Sequence, residues 1–183
     1  MSVRVLVDTE APTLRVATPA DADAVHALIA AHLDEGRLLP RTRTEIAGHA
    51  SRFVVIERAR ALVGCAELAP LSPSVAEIRS LVVDAGARGQ GVASRMVREL
   101  TRRARYDGFD RLCAFAHDPA FFVRAGFSIV PHTSIQEKIV RDCASCALFM
   151  ACGQHALVLP LYDSVFDAST GGIVDDLAVA YAH

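Results

Sequence analysis

The chain of 183 residues has no tryptophan, no run of lysine or arginine, and no uncharged stretch of the length a membrane span requires. The missing tryptophan carries no functional reading. The missing basic run, together with a formal net charge of −2, argues against nucleic acid or a membrane surface as the main partner and for a small molecule. The amino-terminal segment MSVRVLVDTE lacks the apolar core and small-residue cleavage site of a signal peptide, and with no spanning segment this predicts a cytoplasmic chain. Five cysteines are an odd number, so thiols or a metal site are expected in place of a disulfide framework. Two phosphate-binding motifs are also missing. No Gly-Lys-Ser/Thr ending makes a P-loop, and Ser94 stands where a dinucleotide fingerprint wants its third glycine.

Apolar residues make up 52% of the chain, and mean hydropathy is +0.30. That content suffices for one packed core, so residues 1–183 read as a single domain, with 162–183 as a tail carrying Asp163, Asp167, Asp175 and Asp176. The segment from Leu81 to Leu100, LVVDAGARGQGVASRMVREL, reads as a buried strand, a glycine-studded loop and an amphipathic helix. Small residues after Arg88 let backbone N–H groups approach an anion, and the helix adds the positive end of its dipole. Leu81, Val82, Val83, Arg88, Gly89, Gln90, Gly91, Val92, Ala93 and Ser94 are the candidate residues for holding a diphosphate ligand.

Around this segment the pattern predicts a strand at Leu14–Ala17 and a helix capped by Thr18 with Pro19 in its first turn. A short helix follows between Leu38 and Ala50. Three strands come next, Phe53–Glu57, Ala61–Leu68 and Val75–Val83, forming an antiparallel meander. The helix Gly91–Tyr106 ends at Asp107 and Gly108. Beyond it lie a strand at Arg111–Phe115, a helix at Asp118–Ala125, strands at Phe127–Val130 and Ala156–Leu161, and a helical stretch at Ser134–Arg141.

Arg88 followed by the spaced small residues Gly91 and Ala93 resembles the acetyl-CoA pyrophosphate loop of the GNAT N-acetyltransferase superfamily. The element order is similar too, which implies an α/β fold with a mixed, mostly antiparallel sheet flanked by helices. The pieces LLPRTRTE, VGCAEL, AEIRSLVV, FFVRAGF and EKIVRDCASC, between Leu14 and Leu161, resemble in their joint order the acetyltransferase domain of N-acetylglutamate synthases. Those enzymes move acetyl from acetyl-CoA to the α-amino group of glutamate, the first step of arginine biosynthesis. The amino-acid kinase domain that many of them carry has no counterpart here, so feedback by arginine through that domain is not expected.

The resemblance implies roles. Arg41 matches the arginine for a substrate carboxylate and Lys138 a second cation, as two separated carboxylates require; Arg79 and Arg43 are further candidates. Glu77 matches the general base that takes the amine proton, and its apolar strand neighbours disfavour a bare charge. Backbone N–H groups near Leu81 to Val83 face the thioester oxygen, on the strand the superfamily uses for the pantetheine arm. Two positions depart from the family pattern. Ala116 stands where related enzymes often show Ser or Thr, and Phe122 where many members place an acid tyrosine, which leaves His117 and Cys113 as substitute proton donors. Cys143, Cys146, Cys152 and His155 give C-x2-C-x5-C-x2-H, a zinc-like set with short inter-pair spacing, and free thiols are the preferred reading. Cys65 reads as core. The first reading is therefore an acetyl-CoA-dependent amino-acid N-acetyltransferase, with room for a homodimer. Its rivals are a GNAT enzyme for another amine or a peptide, and a non-catalytic sensor of CoA or metal.

Overall fold

Strand alternation and helical apolar stripes place the chain in three layers, helices on both faces of a sheet. A computed structural model describes residues 11–35, 38–146, 151–162, 166–167 and 172–173. Seven strands run in the order β1-β2-β3-β4-β5-β7-β6: β1 (Thr13–Val16), β2 (Phe53–Arg58), β3 (Ala61–Pro70), β4 (Val75–Val83), β5 (Arg111–Ala116), β6 (Ser128–Val130) and β7 (His155–Pro160). Every neighbouring pair is antiparallel except β4 with β5, which is parallel. The expected mixed sheet and the meander β2-β3-β4 are thus present.

β2 shows why two helical layers are needed. Val54 and Ile56 pack into one apolar cluster, Phe53 and Val55 into the other, and all four are fully buried. Successive side chains point to opposite faces, so a strand buried throughout must be covered on both. Each such buried side chain contributes about 1.5–3 kcal/mol relative to exposure.

On the Phe53 face lie α1 (Ala22–Ala30) and α2 (Arg43–Gly48), contributing Val25, Leu28, Ile29 and Ile46. Thr18 opens a 3-10 turn at Pro19–Asp21 and does not cap α1, whose N-cap is Asp21; the Asp21 carboxylate accepts from the Thr18 backbone N–H at 2.7 Å and its hydroxyl at 2.9 Å. On the other face α3 (Val92–Tyr106) buries Val92, Met96, Val97, Leu100 and Ala104. It ends where Gly108 takes a φ of 82°, a conformation that suits glycine. α4 (Ala120–Arg124) buries Phe122. The stretch expected to be helical up to Arg141 is a short α5 (Gln136–Lys138) running into a π turn at Ile139–Cys143.

The amino-terminal segment, and nearly all of the acidic tail expected over 162–183, lie outside the described residues; of the tail only Tyr162 and the two-residue strands β8 (Phe166–Asp167) and β9 (Gly172–Ile173) are described. Among the described residues no helix is long and apolar enough to cross a membrane.

Candidate active site

β4 and β5 pair only from Val75 with Arg111 to Ile78 with Ala114, and beyond that point they part. The cause is a bulge. Between the pairs Cys65–Val82 and Glu67–Arg79, β4 holds one residue more than β3, and Ser80 takes a φ of 49°. A left-handed conformation costs a residue with a Cβ about 1–2 kcal/mol, and such a bulge bends its strand. The β5-facing edge of Leu81, Val82 and Val83 is left without a neighbouring strand among the described residues. A cavity of about 710 Å³ occupies the gap.

One end of the cavity belongs to the glycine loop. Arg88 and Ala93 line it. Gly89 and Gly91 have φ of 75° and 76°, and Gly91 caps α3. The first α3 amide to meet a backbone carbonyl is that of Arg95, on Gly91 at 3.0 Å, so the amides ahead of it are placed to receive an anion. Gly89, Gln90, Gly91, Val92 and Ser94 do not line the cavity. Val92 turns its side chain into the core, and the Gln90 amide donates to the Gly86 carbonyl at 2.9 Å while accepting from Arg58 at 2.7 Å. What these positions offer is backbone, not side chains. Arg88 donates to the Val83 carbonyl at 3.1 Å and to Glu35 at 2.6 Å, and Glu35 is held below the usual carboxylate range by Arg88 first and His32 second.

The other end is a knot of charges. Glu77, 3% exposed, accepts from Lys138 Nζ at 2.9 Å on both oxygens and from Arg79 Nε at 2.6 Å on one. Asp142 accepts from Lys138 at 2.9 Å and also from Arg79. Burial works against the Asp142 charge, but the Lys138 hydrogen bond, with Arg79 and Arg141, more than offsets it and holds the carboxyl below the usual range. Burial likewise opposes the Arg79 charge and is outweighed by Glu77 and Asp142, so its pKa is raised. Lys138 is therefore the counter-ion of Glu77, not a free cation, and Glu77 is ion-paired where apolar surroundings were expected.

Arg41, in the loop before α2, lines the same cavity. Its Nη2 donates to Glu67 at 2.8 Å and its Nη1 to the Ser80 hydroxyl at 3.3 Å, while Nε lies 2.9 Å from Glu45. The structure thus gathers Arg41, Glu77, Arg79, Lys138, Leu81, Val82, Val83, Arg88, Ala93 and His117 around one space.

Two candidates, Arg43 and Cys113, are placed away from the cavity. Arg43 points outward to Asp23 at 3.3 Å, with 67% of its side chain exposed, because it opens α2 on the solvent side. Cys113 is buried in β5 and does not reach the cavity, and burial first, then the Glu77 charge, pushes its thiol well up. His117 is exposed and lines the cavity beside Ala116 and Phe122. Phe122 is buried against Phe121 and Phe127, with ring centroids 5.2 and 5.3 Å away. Among the described residues no three His, Cys, Asp or Glu side chains group to hold a metal ion, and Cys143, Cys146, Cys152 and His155 are not gathered into one such group.

The sequence profile of the acetyltransferase (GNAT) family matches residues 22–127. The chain belongs to this family. An uncharacterized N-acetyltransferase of Chlorobaculum tepidum is 30% identical over 148 residues, covering 81% of this chain and 96% of that protein. An amino-acid acetyltransferase of Neisseria meningitidis is 29% identical over 132 residues, 71% of this chain and 30% of its own length. Among solved structures, N-acetylglutamate synthase of Neisseria gonorrhoeae, complexed with coenzyme A and N-acetyl-glutamate, matches with a TM-score of 0.71 and 26% identity, covering 84% of this chain and 36% of that one. The GNAT chain thus spans only a minor part of the amino-acid acetyltransferases it resembles.

Three site residues of this GNAT chain were not legible as such: Glu67, Glu45 and Asp142. Glu67 carried a signal, a carboxylate in an otherwise apolar strand, and Asp142 another, its i,i+4 spacing from Lys138.

Proposed function

We propose that this GNAT enzyme transfers acetyl from acetyl-CoA to the α-amino group of an amino acid, with L-glutamate preferred, which assigns it to the first step of arginine biosynthesis. The observation that carries the proposal is the single cavity: diphosphate-loop residues at one end, the open edge of β4 in the middle, and Arg41, Glu77, Arg79 and Lys138 at the other. The glycine loop binds the CoA diphosphate through backbone amides, and the pantetheine arm lies along Leu81–Val83. The amine nitrogen attacks the thioester carbonyl, and its proton passes to Glu77 directly or through water. Amides of the open β4 edge receive the developing oxyanion. The C–S bond then breaks, CoA leaves as thiolate, and His117 at the cavity wall is the candidate donor that returns a proton to it. Arg41 takes one of the acceptor's carboxylates, and Lys138 takes the other in exchange for part of its pairing with Glu77 and Asp142.

One observation supports a second reading with the same chemistry and another amine or a peptide as acceptor. Arg41, Arg79 and Lys138 already face Glu67, Glu77 and Asp142, so the acceptor end is compensated in charge. CoA thiol release measured across amino acids, amines and peptides separates the readings. Glutamate is expected to give the highest kcat/KM, Arg41→Ala to raise its KM about tenfold or more, as loss of a charged hydrogen bond does, and Glu77→Gln to lower kcat and alter its pH profile. A higher kcat/KM for an acceptor without a carboxylate overturns the glutamate assignment. No turnover alongside tight CoA binding overturns catalysis.

A further inference from the structure

Glu67 sits at the back of the acceptor end, where the mechanism gives it no part. It lies on β3 with 2% of its side chain exposed, opposite Arg79 across the β3–β4 ladder. Its Oε2 accepts from Arg41 Nη2 at 2.8 Å, and its Oε1 lies 3.7 Å from His49 Nδ1. A carboxylate buried this far is tolerated only when it is paired, and removing one partner of such a pair is strongly unfavourable. The Glu67–Arg41 contact is therefore a fixed one. Arg41 has a second carboxylate, Glu45, 2.9 Å from Nε, and that side chain is 41% exposed. Only the Glu45 side of this pair is open to solvent, the Arg41 side chain being 10% exposed, so Glu45 is the partner that exchanges with solvent or a competing anion. Nη1 completes the set through the Ser80 hydroxyl at 3.3 Å, at the bulge that opens the sheet.

The two carboxylates thus hold the same guanidinium from different sides with different permanence. Nε and Nη2 form the side-on fork that suits a carboxylate. The Nη2 prong is held by a buried group, while Nε is buried without a hydrogen bond and has only the charge contact with Glu45. We infer that Glu67 is the positioning residue of the acceptor site, fixing Arg41 from behind, and that Glu45 keeps the place that an acceptor carboxylate takes on Nε. This rests on the reading of Arg41 as the carboxylate arginine. Binding of the acceptor on this account is an anion exchange. Glu45 swings to solvent as the substrate enters, and Glu67 keeps the guanidinium oriented while it does so.

Opposite signs test the pair. Initial rates with glutamate and acetyl-CoA are measured for Glu45→Gln, Glu67→Gln, Glu67→Asp and Arg41→Ala. Glu45→Gln, on the surface, is expected to lower the KM for glutamate severalfold by removing a competitor. Glu67→Gln is expected to raise it about tenfold, with the KM for acetyl-CoA changed less than about twofold, and Glu67→Asp to recover part of the loss. A glutamate KM that rises in Glu45→Gln overturns the placeholder role. Equal rises in both KM values for Glu67→Gln, or no rise, overturn the positioning role. Should Glu67→Gln fail to fold, the Glu45→Gln and Glu67→Asp arms still decide. A glutamate KM unmoved by Arg41→Ala overturns the underlying reading of Arg41 itself, a result distinct from either.

Discussion

Cys65 and Cys113 lie at the centre of the sheet, and burial sets their chemistry. Burial pushes the Cys65 thiol up to about 12, against a weaker opposite pull from Arg41, and the Cys113 thiol moves further in the same direction. The thiolate is the reactive form of cysteine, and neither buried thiol lines the cavity, so neither is placed to act as an acyl carrier in the proposed reaction. Cys146 and Cys152 are exposed and Cys143 is half-buried. Alkylation of the native protein at pH 8, read by mass spectrometry, is expected to modify Cys146 and Cys152 first and Cys143 more slowly, because burial also raises its pKa. Cys65 and Cys113 are expected to react only after denaturation. Labelling of Cys65 in the folded protein at a rate matching that of Cys146 contradicts this account and reopens a covalent route.

At the scale of elements, β3 and α3 approach closely at Gly64, where a Cβ would lie 2.9 Å from Val92 Cγ1 and 3.0 Å from Met96 Cε. Met96 is flexible and yields; Val92 is β-branched and does not. Gly64→Ala is expected to cost about 1–3 kcal/mol through overpacking. Because Val92 opens α3 directly after Gly91, the displacement falls on the start of the diphosphate loop. The KM for acetyl-CoA should therefore rise along with the fall in Tm. A lower Tm with an unaltered acetyl-CoA KM would falsify the link between this contact and the loop. α3 itself was legible because its signals are local: apolar residues at helical spacing, glycine before it and Asp107–Gly108 after it. The stretch after Ser134 was not. An i,i+4 pattern does not distinguish an α turn from a π turn, and there the chain is tied by tertiary contacts, Lys138 to Glu77 and Arg141 to the Pro70 carbonyl. The bulge at Ser80 was equally hidden, since its positive φ is imposed by packing between strands and not by a glycine in the sequence.

Over the whole molecule the two ends of the cavity differ in how the chain builds them. The diphosphate end is continuous in sequence, from Leu81 to Ser94, and could be read as one motif. The acceptor end joins Arg41, Glu67, Glu77 with Arg79, and Lys138 with Asp142, residues from four distant segments; single members could be named from the sequence, but not their pairing. The same difference should appear in binding. The open edge of β4 and the free amides of α3 are already in place, so at its end CoA exchanges only the exposed Arg88 bonds to Glu35 and the Val83 carbonyl. Glutamate must displace internal ion pairs, Glu45 on Arg41 among them, and binds the free protein weakly on this account. CoA at about 100 times its Kd adds about 2.7 kcal/mol to stability, which for a chain of this size raises Tm by about 5–10 °C. Glutamate alone, in a parallel melt at millimolar concentration, is expected to shift Tm far less, and to add to the shift once CoA is present because CoA closes one wall of the acceptor space. Equal shifts from glutamate with and without CoA would show that the two ends bind independently, and a larger shift from glutamate than from CoA would place the preformed site at the wrong end of the cavity.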